Sequence, residues 1–318
     1  DFNGSHAQSP GVINSVLGNT ISYVYGCFSA VCPEAPINSG FFSPIRVVLP
    51  EGSVVNPDSP AAAAYATICI GCTIGEAVMQ ALEKIVPEHV GTTSIDLSIL
   101  WTHGVDPRTK SFFISYDYHA SPISSGGTYG VDGWGGWSAL FCALQLASVE
   151  MTEIQYPFLY LEGEYTTDSA AAGQWRGAPA YSMKRMAYQT DAPIYLNIWV
   201  QGARNTLQGY CGGKDGGGNY AVVHHSSERA RTVTDVAFLE PSESGDILFF
   251  QSCGGGGWGD PLEREPGAVL ADVRNEYVSV EGAKKEYGVV IDPHSQTVDE
   301  TATQQLRTTR GNGKRNHP

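Results

Sequence analysis

Four consecutive glycines near the C-terminal end of the chain constrain its fold more than any other feature. They occupy residues 254–257 and are followed by Trp258, Gly259, Asp260 and Pro261. Because glycine lacks a Cβ atom, such a run predicts a backbone that adopts positive φ or that another segment approaches closely. A flexible linker would not need the tryptophan, so we do not expect a linker here.

A second glycine-rich segment, residues 212–218, contains Lys214 and Asp215. Backbone N–H groups in glycine-rich loops can bind phosphate. Neither segment, however, ends in the Gly-Lys-Ser/Thr of a P-loop, and neither matches Gly-x-Gly-x-x-Gly between a strand and a helix. We therefore interpret both as structural turns.

Composition places the 318-residue chain among folded globular proteins, with 42% hydrophobic and 16% charged residues. A net charge of −14 argues against binding to nucleic acid or to an anionic membrane. No stretch reaches the roughly 18 apolar residues that a bilayer span needs, and we expect a cytoplasmic protein. The seven cysteines are an odd count spread over a long chain, which favours reduced thiols over a disulfide framework.

Hydrophobic patterning predicts an α+β fold, with a large, mostly antiparallel β region, a few packed helices and a C-terminal helical segment. The strand candidates are residues 46–52, 111–118, 156–162, 194–200 and 246–251. A capping-box pattern at residues 73–76 predicts a helix that ends before Pro87. Further on, Pro266 opens a helix, and Ser279 caps another that stops near Gly288.

The chain shows no internal repeat and no clear linker, which predicts one region over residues 1–305. Beyond Glu300 only basic charges occur. We therefore expect residues 306–318 to be a disordered basic tail.

Several blocks of sequence occur in the order found in a known family. They are Asp1-Phe2-Asn3-Gly4-Ser5-His6-Ala7-Gln8, Pro36-Ile37-Asn38-Ser39-Gly40, Pro50-Glu51-Gly52-Ser53-Val54-Val55-Asn56-Pro57, Asp168-Ser169-Ala170-Ala171-Ala172-Gly173-Gln174-Trp175-Arg176-Gly177 and the glycine-rich phrase after Cys253. Together they resemble the hydantoinase B family, which includes subunits of ATP-dependent hydantoinases, of 5-oxoprolinases and of biotin-independent ketone carboxylases such as the acetone and acetophenone enzymes.

The resemblance implies a multi-subunit enzyme that activates a carbonyl by phosphorylation. ATP and Mg would bind a hydantoinase A-type partner of the actin-like ATPase class, biotin would not be used, and a divalent metal is compatible with the full complex. In full-length relatives a preceding segment carries His-x-Gly-Asp, Asn-Asp-Pro and a further His, which look like metal ligands. Residues 1–305 are accordingly expected to be a hydantoinase B-like catalytic region without that segment and without a complete metal site, the segment lying on a separate chain, cleaved or lost.

Two groups of residues are candidates for the site. At the N-terminus, His6 is predicted to be catalytic, and Ser5 and Gln8 are predicted to bind substrate, because five polar groups crowd the first eight positions. A polar loop with local caps explains this cluster equally well.

The second group lies in the middle of the chain. His119 is a candidate general base near neutral pH, with Asp132 as a further catalytic residue and with Tyr118 and Trp134 binding substrate. A hydrogen-bonded strand histidine is the alternative for His119. The aromatic residues of this region are predicted to line an apolar pocket, although they could equally pack β structure; they are Trp101, Tyr116, Tyr118, Tyr129, Trp134 and Trp137.

These features favour part of a ketone carboxylase of the acetophenone or acetone type, because an aromatic pocket suits an apolar ketone. Two alternatives stay open: ATP-dependent hydrolysis of a cyclic amide such as hydantoin or 5-oxoproline, and a non-catalytic scaffold subunit of such a complex. The flanking charges of one block, Asp168 and Arg176, are expected to form an ion pair that organises a turn.

Overall fold

Two antiparallel sheets form the centre of the protein, which a computed structural model describes for residues 1–92, 98–120, 124–135 and 146–314. The first sheet has the order β2-β1-β5-β8, with β1 at Ile99–Val105, β2 at Phe112–Tyr116, β5 at Ile194–Trp199 and β8 at Val236–Ser242. The second has the order β3-β4-β9-β6-β7, with β3 at Phe158–Tyr165, β4 at Tyr181–Ala187, β6 at Tyr220–Val223, β7 at Arg231–Val233 and β9 at Ile247–Gln251.

The main core lies between the inner faces of these sheets. Leu100, Leu196 and Ile198 of the first sheet pack with Met183 and Phe250 of the second. The strands alternate buried and exposed positions, as a half-buried antiparallel sheet requires. The expected strands at 111–118, 156–162, 194–200 and 246–251 are therefore confirmed, as is the α+β class.

Helices cover two sides of this sandwich. They are α1 (Leu17–Val31), α2 (Ser39–Phe42), α3 (Cys72–Glu83), α4 (Val149–Gln155), α5 (Pro266–Arg274), α6 (Val280–Tyr287) and α7 (Glu300–Lys314). Helices α1 and α3 pack together through Cys27, Val31, Met79 and Leu82. The C-terminal helices enclose a separate cluster around Val269 and Tyr287, beside the short hairpin of β10 (Ile291–Asp292) and β11 (Thr297–Val298).

The predicted ends of α5 and α6 are confirmed. Pro266 is the first residue of α5. The Ser279 side chain accepts a hydrogen bond from the Gly282 N–H at 2.8 Å, and Gly288 ends α6 in the left-handed conformation with φ of 63°. These signals are local, which is why the sequence suffices to find them.

Two predictions in the N-terminal third are wrong. Residues 46–52 form no strand, because they bond the N-terminal segment at isolated points, for example Phe2 N–H to Val48 O at 2.9 Å, and not through a ladder. No helix begins with a cap at Thr73 either. A π-helix, Thr67–Gly71, runs directly into α3, and the Thr73 hydroxyl donates back to the Cys69 carbonyl. The end of α3 before Pro87 is confirmed.

The expected disordered tail is also wrong as far as residue 314. Helix α7 continues through this stretch, and residues 315–318 lie outside the described part of the chain. Arg307 donates to the Tyr287 and Arg264 carbonyls at 3.0 and 2.7 Å, and Arg310 donates to the Lys285 carbonyl at 2.7 Å. The basic side chains therefore satisfy two orphan carbonyls at the C-terminal end of α6 and the Arg264 carbonyl before α5, and this anchors α7.

Candidate functional site

The glycine run forms the centre of a junction between backbone segments. A Cβ atom on Gly255 would overlap the Ser125 carbonyl, one on Gly256 the Gln208 carbonyl, and one on Gly257 the Ala172 carbonyl. Gly259 has φ of 77°. Close approach of neighbouring backbone therefore accounts for the run itself, and positive φ accounts for the glycine just beyond it. We call residues 254–259 and the segments that face them the glycine junction.

Three glycine N–H groups of the glycine junction already have partners. Gly255 donates to the Ala178 carbonyl at 3.0 Å, Gly257 to Lys214 at 2.9 Å, and Gly259 to Tyr210 at 3.0 Å. These donors are therefore not available to a phosphate group. The hydrogen bonds support the structural interpretation of the run.

Three aromatic rings cover one end of the glycine junction. Trp175 and Trp258 lie with ring centroids 5.1 Å apart, and Tyr129 contacts both edge-on at 4.8 and 5.4 Å. The Trp258 indole donates to the Pro87 carbonyl at 3.2 Å. The tryptophan thus fixes the glycine junction to the segment that follows α3.

A buried charge network lies at the other end and includes Asp132. Arg264 contacts both Asp132 oxygens at 2.6 and 2.7 Å and Asp272 at 2.8 Å. Arg176 donates to Asp272 at 2.9 Å. Burial alone would lower the pKa of Arg264, but its hydrogen bond to Asp132 and the charge of Asp272 outweigh burial and raise the pKa above its usual value. The expected pair of Asp168 with Arg176 is therefore wrong, because Arg176 bonds Asp272, while Asp168 accepts from the Ser279 N–H at 2.8 Å.

His119 is buried between the sheets, on a short 3-10 turn that follows β2. Its Nε2 lies 2.8 Å from the Ala147 carbonyl, so Nε2 carries the proton, and its Nδ1 lies 3.3 Å from the Tyr181 hydroxyl. Burial and the charge of Asp117 raise the pKa of Tyr181 to about 12, so this hydroxyl stays protonated and can donate to Nδ1. Tyr118, which directly precedes His119, is partly exposed and contacts Tyr116 edge-on.

The N-terminal group lies along a loop against residues 48–58. His6 is exposed, with Nδ1 2.7 Å from the Ala7 carbonyl. The Ser5 hydroxyl donates to the Phe2 carbonyl at 2.8 Å. The Gln8 side chain bonds both the N–H and the carbonyl of Asp58, at 2.7 and 3.2 Å. Ser5 and Gln8 thus hold the loop, and only His6 presents its side chain to solvent.

The candidate residues lie in three places. Asp132 and Trp134 share one loop, where Ser125 Oγ accepts from the Trp134 N–H at 2.7 Å and the Trp134 ring is exposed. Within the described part of the chain, no hydrogen bond, ion pair or ring contact joins this loop to His119 or to His6. The roles assigned to all seven residues stay predictions.

The aromatic residues do not surround one described cavity. Trp101, Tyr116 and Tyr118 belong to the first sheet and its edge, Tyr129 packs at the glycine junction, and Trp134 is exposed. Trp137 lies outside the described residues. The premise for an apolar ketone pocket is therefore not met by these five residues.

A cleft of about 630 Å³ opens instead between the second sheet and α6. Small and polar side chains dominate its lining, including Ser169, Gln251, Ser252 and Ser279, with Tyr220 and Tyr287 as its aromatic residues. Lys214 forms an ion pair with Glu286 beside it. Sequence reasoning missed this cleft because its walls come from four separate segments, although two of them, the block around Asp168 and the 212–218 loop, are recognisable in the sequence.

Neither a metal site nor a membrane span is found in the ranges that the structure describes. There, no group of three or more His, Cys, Asp or Glu side chains is placed to hold a metal ion. No described helix combines the length and apolar character that crossing a bilayer requires.

Comparison with known proteins gives one consistent match. A family model described as hydantoinase B/oxoprolinase matches residues 1–261. The beta subunit of caprolactamase from Pseudomonas jessenii is 34% identical over 313 residues, which cover 94% of this chain and 52% of that protein. The crystal structure of the ATP-dependent caprolactamase from the same organism superposes with a TM-score of 0.81 at 31% identity, covering 96% of this chain and 54% of that one.

Two further relatives carry other names. A putative D-/L-hydantoinase, represented by its B-type subunit from Pseudomonas sp. (strain NS671), is 29% identical over 90% of this chain and 46% of that protein. The delta subunit of acetophenone carboxylase from Aromatoleum aromaticum is 22% identical over 99% of this chain and 51% of that protein. The chain thus spans about half the length of the relatives it matches.

Proposed function

Because the chain belongs to the hydantoinase B/oxoprolinase family, we propose that it forms part of the B-type subunit of an ATP-dependent enzyme that opens a cyclic amide. The observation that carries this proposal is the 34% identity to the caprolactamase beta subunit over 94% of the chain. The match to the acetophenone carboxylase subunit is weaker, at 22%. Ketone carboxylation, which the aromatic residues of the sequence favour, becomes the second candidate.

The cleft beside α6 supports the same choice. A ring that carries an amide offers one carbonyl acceptor and one N–H donor, and a pocket must match both. Serine, glutamine and tyrosine side chains along the cleft are of these donor and acceptor types. Ser169, Ser252 and Ser279 also accept hydrogen bonds from neighbouring backbone N–H groups. An apolar ketone would need a mainly aromatic or aliphatic lining.

The proposed reaction balances as cyclic amide plus ATP plus two water molecules giving the ring-opened amino acid, ADP and phosphate. The γ-phosphoryl group is transferred to the amide oxygen, water attacks the activated carbon, and the ring C–N bond breaks with a proton delivered to the nitrogen. This leaves an acyl phosphate, whose carbon is attacked by the second water, and phosphate leaves with the original amide oxygen. We place ATP and Mg on a hydantoinase A-type partner and propose that no biotin takes part.

Within this scheme, His6 is the proposed proton-transfer residue of this chain, and His119 is proposed to support the site. His6 is exposed and can meet a partner surface. His119 is buried with both ring nitrogens bonded, so we assign it a positioning role through Tyr181. A non-catalytic scaffold role predicts instead that neither histidine affects turnover.

The test is to purify the complex that contains this chain from its host and to measure ADP release with caprolactam, hydantoin or 5-oxoproline. Parallel reactions contain acetophenone with bicarbonate. Turnover of a cyclic amide without bicarbonate supports the proposal, whereas bicarbonate-dependent turnover of the ketone alone establishes the second candidate. Unchanged turnover in a complex with both His6→Ala and His119→Ala would establish the scaffold role.

A further inference from the structure

The outer face of the first sheet is only half covered. At one end, Ile99 and Trp199 pack beneath Tyr65, Ile68 and Cys72 of the π-helix and α3. At the other end the same face carries exposed apolar side chains, namely Val105, Phe112, Ile114, Tyr195 and Phe238. We call these five residues the open sheet face.

Strand register shows that these side chains are neighbours. Val105 lies opposite Phe112, while His103 lies opposite Ile114 on one side and Tyr195 on the other. Phe238 is two positions from Val236, which pairs with Trp199 on this outer face. Phe112, Phe238 and Ile114 remain 65%, 64% and 57% exposed. Isolated exposed apolar residues are ordinary, but a contiguous apolar patch marks an interaction surface.

None of the five residues of the open sheet face is charged, although the chain as a whole carries a net charge of −14. The polar residues between them on this face, His103 and Asn197, bond each other at 3.1 Å. Transient interfaces between separately folded subunits resemble ordinary protein surface, whereas permanent interfaces resemble a core cut in two. A sheet buries each apolar face beneath a second layer, and here that layer stops part of the way across. The missing layer is therefore expected to be a permanent neighbour.

We propose that the open sheet face is the docking surface for the portion of a B-type subunit that lies outside the matched region. This chain covers only 52% of the caprolactamase beta subunit and 46% of the hydantoinase relative, so a second portion of similar size accompanies this one in each relative. Two portions of one subunit meet in a fixed ratio, as a permanent interface requires. The inference rests on family membership alone and is independent of which reaction is catalysed.

Site-specific crosslinking tests the proposal. Phe112 is replaced by the photoreactive amino acid p-benzoylphenylalanine, the tagged chain is produced in its host, and crosslinked peptides are identified by mass spectrometry. The expected partner peptide resembles the unmatched half of the caprolactamase beta subunit, in the same polypeptide or in a separate one. Crosslinks to a second copy of residues 1–318, to the ATPase subunit or to nothing would each overturn the proposal.

A pair of charge variants gives an independent readout. The double variant Phe112→Asp, Phe238→Asp is expected to weaken association of the two portions at least tenfold if they are separate chains. If they belong to one polypeptide, the segment that connects them should become sensitive to limited proteolysis. Ile37→Asp, at a residue that is 73% exposed and lies outside the sheets, should change neither by more than twofold. Circular dichroism of the isolated chain should be unaltered in both variants, and equal association in the two would contradict the proposal.

Discussion

Gly255→Ala should destabilise the fold through backbone overlap alone. The new Cβ would overlap the Ser125 carbonyl and press on the Ala178 N–H. Neither neighbour can rotate away, because the Ser125 carbonyl accepts from the Ala178 N–H at 2.8 Å and the Ala178 carbonyl accepts from the Gly255 N–H at 3.0 Å. The added methyl group must therefore displace a whole segment of the glycine junction.

The expected cost follows from two opposing effects. Overpacking of a well-packed site costs about 1–3 kcal/mol, and the upper end applies because the overlapped atoms are backbone. Replacing glycine by alanine returns about 0.4–1 kcal/mol by restricting the unfolded chain. The net loss is about 2 kcal/mol or more, which corresponds to roughly 3 °C or more in Tm for a chain of this size.

Gly217→Ala is the matched control for this experiment. Gly217 lies in the neighbouring glycine-rich segment, is exposed and has no atom within 4 Å of an added Cβ. Its Tm should stay within about 2 °C of wild type or rise slightly. Differential scanning fluorimetry with urea titration measures both variants, and an equal Tm for Gly255→Ala and wild type would refute the close-packing argument.

Three further outcomes are expected. Arg264→Met removes the shared partner of Asp132 and Asp272 and should lower the free energy of unfolding by about 3–5 kcal/mol. The control Arg204→Met, at an exposed residue, should change that free energy by less than about 0.5 kcal/mol. Equal urea midpoints for the two variants would contradict the stabilising role of the network. Burial raises the pKa of Cys27 to about 12 and that of Cys69 to about 11. Iodoacetamide at pH 8 should therefore modify exposed Cys32 before either of them, as followed by mass spectrometry. Labelling of Cys27 or Cys69 first would be inconsistent with their burial. The Arg108 side chain holds the pKa of Asp106 below its usual value. The stabilisation from ionised Asp106 is therefore present above the unfolded pKa of about 3.9 and is lost as pH falls through the folded pKa. The difference in urea midpoint between wild type and Asp106→Asn should accordingly shrink from pH 7 to pH 3, and a constant difference would rule out this ion-pair contribution.

Local signals in the sequence locate elements but not the contacts between them. The Ser279 cap and the Gly288 stop are predictable because each depends on residues within one helix. Helix α1 was not predicted, although its buried residues Thr20, Tyr23, Val24, Cys27 and Val31 have helical spacing, because interspersed Gly, Ser and Asn obscure the period. The apparent capping box at Thr73 does not begin a helix, because the π-helix before α3 already places Thr73 inside helical backbone.

Long-range partners could not be inferred from one sequence. Asp132 and Arg264 are 132 residues apart, and nothing in the Asp168 to Arg176 block indicates that Arg176 would bond Asp272. The glycine run is different, since four residues without Cβ atoms already indicate that backbone must approach closely. Its partner segments and the cleft beside α6 become identifiable only in the structure.

Oxygen transfer from substrate to phosphate tests the proposed function most directly. Caprolactam labelled with ¹⁸O at the carbonyl is turned over by the complex with ATP, and the released phosphate is analysed by mass spectrometry. Phosphorylation of the amide oxygen, followed by attack of the second water on the acyl carbon, predicts one ¹⁸O atom in each phosphate, with ring-opened amino acid and ADP formed in equal amounts. Unlabelled phosphate accompanied by the ring-opened product would contradict that mechanism, and failure of every cyclic amide beside bicarbonate-dependent turnover of acetophenone would contradict the proposed function itself.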